Sequence, residues 1–154
     1  MKIMKMKYAL CAILIVSLLI LAGCAGQKTL NTGIKATVFK AQACGCCGIY
    51  SQYLEQKGFD VEVVNPPVLS DVKVAAGVPM DLESCHMTKI EDYFIEGHVP
   101  VEAINKLLQE KPDIKGIGMV GMPSGSPGMT GKKEGTWTIY GVNRDGSVFD
   151  FMKL

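Results

Sequence analysis

The sequence lacks an excess of either charge. Its 154 residues carry 16 Lys and Arg against 15 Asp and Glu, a formal net charge of +1. It also contains no run of like charges and no internal repeat. Proteins that bind nucleic acid through its phosphates display a basic patch or stripe. The near-neutral balance therefore argues against a nucleic-acid partner.

An apolar run long enough to cross a membrane is also lacking, since a spanning helix needs roughly 20 such residues. Residues 8–21 form the apolar run, which follows Lys2, Lys5 and Lys7 and leads into Leu-Ala-Gly-Cys at Cys24. A basic start, a short apolar segment and small residues before a cleavage site are typical of a secretory signal. A single membrane anchor is the alternative interpretation.

The Leu-Ala-Gly-Cys ending resembles the bacterial lipoprotein signal. The resemblance implies that Cys24 is acylated and becomes the mature N-terminus in the bacterial cell envelope, facing the periplasm or the outside of the cytoplasmic membrane. We therefore divide the chain into a signal peptide (1–23), a polar tether (24–34) and one domain (35–154), a length that suits a single domain. Removal of the signal takes away three lysines and no acid, which leaves a weakly acidic protein.

The chain is unusual in its crowded cysteines. Cys44, Cys46 and Cys47 (the cysteine triad) fall within four positions of "AQACGCCGIY". Cys44 and Cys47 have the spacing of a redox dithiol, but a third cysteine between them invites scrambled disulfides, and adjacent cysteines suit a direct bridge poorly. A dithiol catalyst, structural disulfides and a metal site all remain open, and the spacing favours a metal site.

The pattern of the elements predicts an α/β fold. The sequence alternates in a strand, helix, strand, helix, strand, strand, helix order, which is that of a thioredoxin-like sandwich with a mixed sheet and helices on its faces. The predicted strands are residues 34–41, 59–65, 85–90 and 93–96, and the helices are residues 48–58, 69–77 and 100–111. Residues 116–131, rich in glycine and methionine, are predicted to be a loop, and a β-hairpin around "NRDG" completes the domain.

On this pattern the cysteine triad lies between the first strand and the first helix. The partial positive charge of a helix N-terminus lowers the pKa of thiols there, which favours the thiolate. Cys85 and His86 occupy the junction before the third strand, where thioredoxins carry a cis-proline that touches the redox pair, although Pro79 is a competing candidate for that place. Cys85 is therefore expected to face the cysteine triad.

Histidine and methionine extend the set of candidate ligands. His86 is either a ligand or a histidine satisfied within the strand, and His98 is either a ligand or a capping residue before Pro100. Of the loop methionines, Met122 is favoured as a ligand and Met119 as a packing residue, while Met129 is left open. Thiolates and thioethers select Cu(I), and imidazole suits copper or zinc. Copper, as Cu(I) or Cu(II), is therefore favoured over zinc, and an iron–sulfur cluster is less natural outside the cytoplasm.

Over about residues 36–129 the chain resembles the CopG-like bacterial metal-binding proteins, also called domain of unknown function 411. The resemblance is carried by C-x-C-C at residues 44–47, S-C-H at 84–86, E-G-H-V-P at 96–100 and G-M-P-x-G-S-P-G-M at 121–129. It implies a thioredoxin-like fold, a role in periplasmic copper handling and resistance, and a copper centre at the cysteine triad and Cys85 with nearby His and Met. The family usually carries threonine after S-C-H, where this chain has Met87.

Our main hypothesis is an envelope copper-binding protein of copper homeostasis or resistance. It assigns Cys44, Cys46, Cys47 and Cys85 as primary ligands of Cu(I) and His86, His98 and Met122 as secondary ligands. Binding is favoured over a copper redox activity, and no catalytic residue is assigned. The expected partners are metal ions, the membrane through the N-terminal lipid, and other copper-handling envelope proteins. The alternatives are a thiol–disulfide oxidoreductase using Cys44 and Cys47 and a disulfide-stabilised interaction module.

Overall fold

The computed structural model describes residues 31–154, so the predicted signal peptide, Cys24 and most of the tether lie outside the described residues. Within the described part, seven strands and three helices follow one another in the order β, α, β, α, β, β, α, β, β, β. The strands are β1 (Lys35–Lys40), β2 (Asp60–Val64), β3 (His86–Ile90), β4 (Tyr93–Glu96), β5 (Ile114–Gly118), β6 (Thr138–Asn143) and β7 (Val148–Lys153). The helices are α1 (Gly45–Gln56), α2 (Leu69–Ala76) and α3 (Val101–Glu110).

All seven strands form one mixed sheet with the order β2-β1-β3-β4-β5-β6-β7. β1 is parallel to β2 and antiparallel to β3, which is antiparallel to β4. These four strands and the three helices form the predicted thioredoxin-like unit. β5 then adds parallel to β4, and the β6–β7 hairpin extends the sheet further. The predicted α/β class and the C-terminal hairpin are confirmed.

The two faces of the sheet carry two separate cores, because successive strand residues point to opposite faces. In β1 and β4, Val38 and Ile95 join Tyr50 of α1 and Leu107 of α3 in the larger cluster. Their neighbours along the strands, Phe39 and Phe94, belong to the smaller cluster. That cluster also contains Val72 and Ala76 of α2. The sheet is therefore covered by α1 and α3 on one face and by α2 on the other.

The predicted loop begins later than expected, because Gly116, Ile117 and Gly118 form the end of β5. A Cβ built on Gly116 would lie 2.2 Å from the Phe94 carbonyl oxygen and 2.6 Å from Phe94 Cγ. Glycine is needed here for close approach to the neighbouring strand, a reason that composition alone does not reveal. Residues 119–131 (the methionine loop) contain turns and bends and no helix or strand.

α1 begins three residues before the predicted start, and Cys44 is its N-cap. The earlier start places Cys46 and Cys47 in its first turn. Ile49, in the same turn as Cys47, is 53% exposed. The buried positions are instead Cys47, Tyr50, Ser51 and Leu54. They follow the i, i+3, i+4, i+7 spacing of one helix face.

Candidate metal centre

Three sulfur atoms converge at the N-terminus of α1. The Sγ atoms of Cys44, Cys46 and Cys47 all lie within 4.8 Å of one another, and those of Cys44 and Cys46 are 3.6 Å apart. The Cys44 side chain makes no capping hydrogen bond to the helix. Sulfur atoms grouped this closely can serve thiol–disulfide chemistry or the binding of a soft metal ion. The site therefore suits either a redox thiol or a soft metal ion.

Two of these cysteines are joined to each other. Cys44 and Cys47 form a disulfide with a Cα–Cα distance of 5.5 Å, and Cys46 is a free thiol. The structure thus represents an oxidised form of the cysteine triad. A disulfide sulfur is not a thiolate ligand, so coordination by all three sulfurs requires reduction of this bond.

Cys85 is brought to the triad by its main chain. Its carbonyl oxygen lies 3.8 Å from Cys47 Sγ. Its own thiol is free and exposed, and its sulfur is not part of the compact group of three. The junction before β3 therefore faces the cysteines, and the Cys85 side chain must turn inward if it is to share a metal ion with them.

The methionine loop brings one thioether to the same place. Met122 Sδ lies 3.9 Å from Cys46 Sγ, and the Met122 side chain is partly exposed. Met119 is instead buried in the larger core, as its predicted packing role requires. Met87 is buried in the smaller core on the other face of the sheet, so it packs and does not add a sulfur to the site.

His86 and His98 (the histidine pair) are fully buried beside α1. Their ring centroids are 4.9 Å apart, and they lie 4.7 Å and 5.4 Å, respectively, from the ring centroid of Tyr50, which follows Cys47 by one helical turn. His98 Nδ1 donates to the Pro127 carbonyl at 2.6 Å, which leaves the lone pair on Nε2. Within the described residues that Nε2 and both nitrogens of His86 have no hydrogen-bond partner.

Burial keeps both imidazoles neutral. It is the largest of the causes that lower the pKa of His86 to about 3, and repulsion from Lys73 and from a protonated His98 adds to it. Burial also lowers the pKa of His98, although the hydrogen bond to Pro127 opposes this change. Neutral imidazole with an unpaired ring nitrogen is the form that binds metal ions. The histidine pair is thus chemically ready to act as ligand, and its packing on Tyr50 ties it to the helix that carries the cysteines.

The methionine loop packs onto the same helix. A Cβ built on Gly128 would lie 3.1 Å from the Tyr50 nitrogen and 3.3 Å from the Cys46 carbonyl oxygen. The preceding residue, Pro127, is the one that accepts from His98. One loop therefore contacts the histidine pair, the backbone of α1 and, through Met122, the sulfur of Cys46.

Sequence reasoning missed a buried ion pair behind Cys85. Lys73 of α2 and Glu96 of β4 lie 2.5 Å apart with side chains 2% and 0% exposed. A signal was present, because a lysine interrupts the apolar residues of "VKVAA" and a glutamate ends the apolar strand "YFIE". Both charges contact Ser84, the residue before Cys85.

One cavity in the described part of the chain lies away from these groups. It measures about 420 Å³ and lies between α2 and the sheet, with Phe39, Val72, Met87 and Lys115 among its lining residues. None of the predicted ligands lines it. Since metal coordination needs converging donor atoms rather than a large apolar space, this cavity does not mark the candidate centre.

Known proteins share both the sequence and the fold. A family model described as "Protein of unknown function, DUF411" matches residues 82–129, the part that holds Cys85, the histidine pair and Met122. Two solved structures of a copper resistance protein CopG, forms 1 and 2, are each 36% identical in sequence to this chain. Each alignment covers 79% of this chain and 98% of the CopG chain. Their TM-scores are 0.73 for form 1 and 0.74 for form 2. No curated protein matches the sequence.

Proposed function

Since this chain belongs to the CopG-like family of DUF411 proteins, we propose that it binds Cu(I) in the bacterial cell envelope and serves copper homeostasis or resistance. The observation that carries the proposal is the convergence of the three triad sulfurs within 4.8 Å of one another. The thioether of Met122 lies beside them. Thiolate and thioether are the soft donors that select Cu(I) over harder metal ions.

The donor set divides into two groups. Cys44, Cys46 and Cys47 are the proposed primary ligands, with Cys85 as the fourth thiolate once its side chain turns toward Cys47. Met122 and the histidine pair are the proposed secondary ligands. Their support is the 3.9 Å approach of Met122 to Cys46 and the unpaired nitrogens of two neutral, buried imidazoles. Thioether donors are foreign to ordinary zinc sites, which use Cys, His and carboxylate.

Copper binding by the full set depends on the redox state of the triad. Reduction of the Cys44–Cys47 disulfide consumes two electrons and two protons from a thiol reductant and yields two thiols, each of which loses its proton when it binds a metal. The oxidised protein offers Cys46, Met122 and the histidine pair, and reduction adds Cys44 and Cys47, which makes three thiolates in all, or four with Cys85. We therefore expect Cu(I) affinity to be high only after reduction.

The Cys44–Cys47 disulfide also favours a second candidate function, a thiol–disulfide oxidoreductase. In that case Cys47→Ser should trap a mixed disulfide on Cys44, and the protein should reduce insulin in metal-free buffer. Cys46 opposes this function, because a free thiol 3.6 Å from Cys44 can attack the mixed disulfide and scramble it.

Copper measurement on the reduced protein tests the main proposal. Purified under anaerobic conditions with a thiol reductant, the protein should retain one copper ion or more per chain in elemental analysis and show ultraviolet thiolate-to-copper absorption. Cys44→Ser combined with Cys85→Ser should abolish both signals, because it removes two of the four proposed thiolates. In the unprocessed chain, Cys11→Ser with Cys24→Ser is the matched control, since it removes two thiols outside the site. Equal copper retention by the site variant and the parent would refute the ligand assignment.

A further inference from the structure

The buried Lys73–Glu96 pair is not explained by stability. The side chains are 2% and 0% exposed and Lys73 Nζ lies 2.5 Å from Glu96 Oε1. Taking each ion out of water costs several kcal/mol, and an apolar pair of similar volume is often as stable or more stable. A buried pair of this kind therefore requires another role, and its remaining hydrogen bonds indicate which one.

Both charges hold the main chain of Ser84. Lys73 Nζ donates to the Ser84 carbonyl oxygen, and the Ser84 N–H donates to Glu96 Oε1 at 2.6 Å. The Ser84 hydroxyl donates to the His86 carbonyl at 3.2 Å. Gly97 closes the other side, since a Cβ built on it would lie 3.1 Å from Ser84 Oγ. Ser84 is thus held through its N–H, its carbonyl and its side chain.

The position of Ser84 determines the position of Cys85. Cys85 lies on the exposed turn before β3, and its carbonyl oxygen is 3.8 Å from Cys47 Sγ. Metal–ligand distances hold to within about 0.2 Å, so a small shift of this turn would remove Cys85 from a shared metal ion. The ion pair is the buried support directly behind the turn.

We propose that Lys73 and Glu96 are positioning residues that fix the Ser84–Cys85 turn against the cysteine triad and so allow Cys85 to share a metal ion with it. The proposal rests on the proposed copper function and adds two residues that need not touch the metal. Lys73 acts through the carbonyl oxygen of Ser84 and Glu96 through its N–H. The atom that binds the metal ion is the Cys85 sulfur.

A double-mutant cycle in the reduced full chain tests this coupling. The four proteins are the parent, Lys73→Met/Glu96→Leu, Cys85→Ser and the combination, and the measurement is Cu(I) affinity by competition with a chromophoric chelator. The apolar replacement should keep the fold, because it removes both buried charges together, yet lower the affinity about tenfold, as loss of an outer support does. In the Cys85→Ser background the same replacement should change the affinity less than twofold.

Two further variants separate position from charge. Lys73→Met/Glu96→Gln keeps an oxygen for the Ser84 N–H and leaves no charge buried without a partner, so it should retain the parent affinity within about threefold, whereas Lys106→Met removes the exposed Lys106–Glu110 pair of α3 and should have no effect. If the apolar replacement does not fold, Lys73→Leu/Glu96→Met, which exchanges the two apolar side chains, enters the same cycle. The proposal would be overturned if the apolar replacement lowered the affinity by the same factor with Cys85 present and with Cys85→Ser. Parent-like affinity in the apolar replacement would also overturn it.

A measurement without metal keeps the proposal distinct from the copper function. In metal-free protein, amide hydrogen exchange of the peptide that contains Ser84 and Cys85 should be at least tenfold faster in Lys73→Met/Glu96→Leu than in the parent, while exchange in the α3 peptide stays the same. A parent that binds no Cu(I) would refute the copper function only. Unchanged exchange at Ser84 and Cys85 would refute the positioning role whether or not copper binds.

Discussion

At the scale of single residues, the two histidines proposed as metal ligands are also part of the folded core, so their protonation affects stability. His86 and His98 are the only two histidines of the chain, and both rings are fully buried against Tyr50. Protonation of either ring would place a charge in the core, close to the other imidazole and, for His86, to the field of Lys73. The free energy of unfolding of the metal-free protein is therefore expected to depend on pH in a range where few other side chains titrate.

The expected pH dependence is a loss of stability on mild acidification. The pKa of His86 falls from 6.5 to about 3 on folding. Between these values the unfolded chain binds more protons, so the free energy of unfolding decreases as the pH is lowered below 6.5. The loss approaches about 1.4 kcal/mol per pH unit for one histidine. Urea unfolding of the metal-free protein should show a decrease of about 2 kcal/mol between pH 7 and pH 5.

The matched variant for this prediction is His86→Leu, which fills a similar space without a titrating group. Its free energy of unfolding should change less between pH 7 and pH 5 than that of the parent. The remaining dependence should come from His98, whose pKa is also lowered by burial. An identical pH slope in the variant and the parent would show that His86 does not carry the effect.

At the scale of the elements, the sequence predicted those parts that periodicity encodes. Alternating and helical patterns identified the thioredoxin-like core, and the turn signal identified the β6–β7 hairpin. The start of α1 was missed because its first turn, "GCCG", has no apolar periodicity. β5 was not predicted at all, because its Gly116 and Gly118 indicate a loop by composition, whereas Gly116 is required by contact with Phe94, a residue distant in the sequence.

The candidate site, too, was predicted from the sequence only in part. The residue types of the cysteine triad, Cys85 and the histidine pair were visible as motifs. The structure adds the distances that distinguish Met122, which lies beside Cys46, from Met119, which is buried in the core. Lys73 lies on a helix and Glu96 on a strand, 23 residues apart in the sequence, so only tertiary structure shows that both charges meet at Ser84.

The packing of the methionine loop on α1 gives a prediction for two glycines. Gly128 has φ +82° and backbone atoms of α1 at 3.1 Å and 3.3 Å from a built Cβ, whereas Gly146 in the hairpin turn has φ +92° and nothing within 4 Å. Alanine at either position incurs the left-handed penalty of about 1–2 kcal/mol. Gly128→Ala should in addition displace the loop, which carries Met122, and lower Cu(I) affinity about tenfold.

Chelator competition and urea unfolding on the two alanine variants check this prediction. Gly146→Ala is the control for the backbone penalty, and it should keep the parent's Cu(I) affinity. Equal affinities for the two variants would mean that the contact between the loop and α1 does not support the site. The comparison is matched because both glycines have a positive φ, and only Gly128 lies against α1.

At the scale of the whole molecule, the candidate centre is contained within the described domain. The first described residue, Asn31, already donates from its side chain to the Lys57 carbonyl at 3.3 Å, and the sheet begins at Lys35. All proposed ligands lie on or between elements of the sheet and α1. No helix in residues 31–154 is long and apolar enough to span a bilayer. Because every proposed metal ligand lies in residues 31–154 and Cys24 does not, we propose that lipid attachment at Cys24 and binding of copper are separable functions of the chain.

Cys24→Ser should separate attachment to the membrane from binding of copper. If Cys24 carries the lipid, the variant should not incorporate labelled palmitate and should leave the membrane fraction, because two or more acyl chains supply the anchoring free energy of about 0.8 kcal/mol per buried CH₂. Its copper content and its urea unfolding midpoint should equal those of the parent, since the cysteine triad and Cys85 are intact. Cys11→Ser, which also removes one thiol from the N-terminal segment, should remain labelled and membrane-bound. Palmitate incorporation that persists in Cys24→Ser, or that is absent from the parent, would refute the lipid anchor, and a loss of copper would refute the independence of the site.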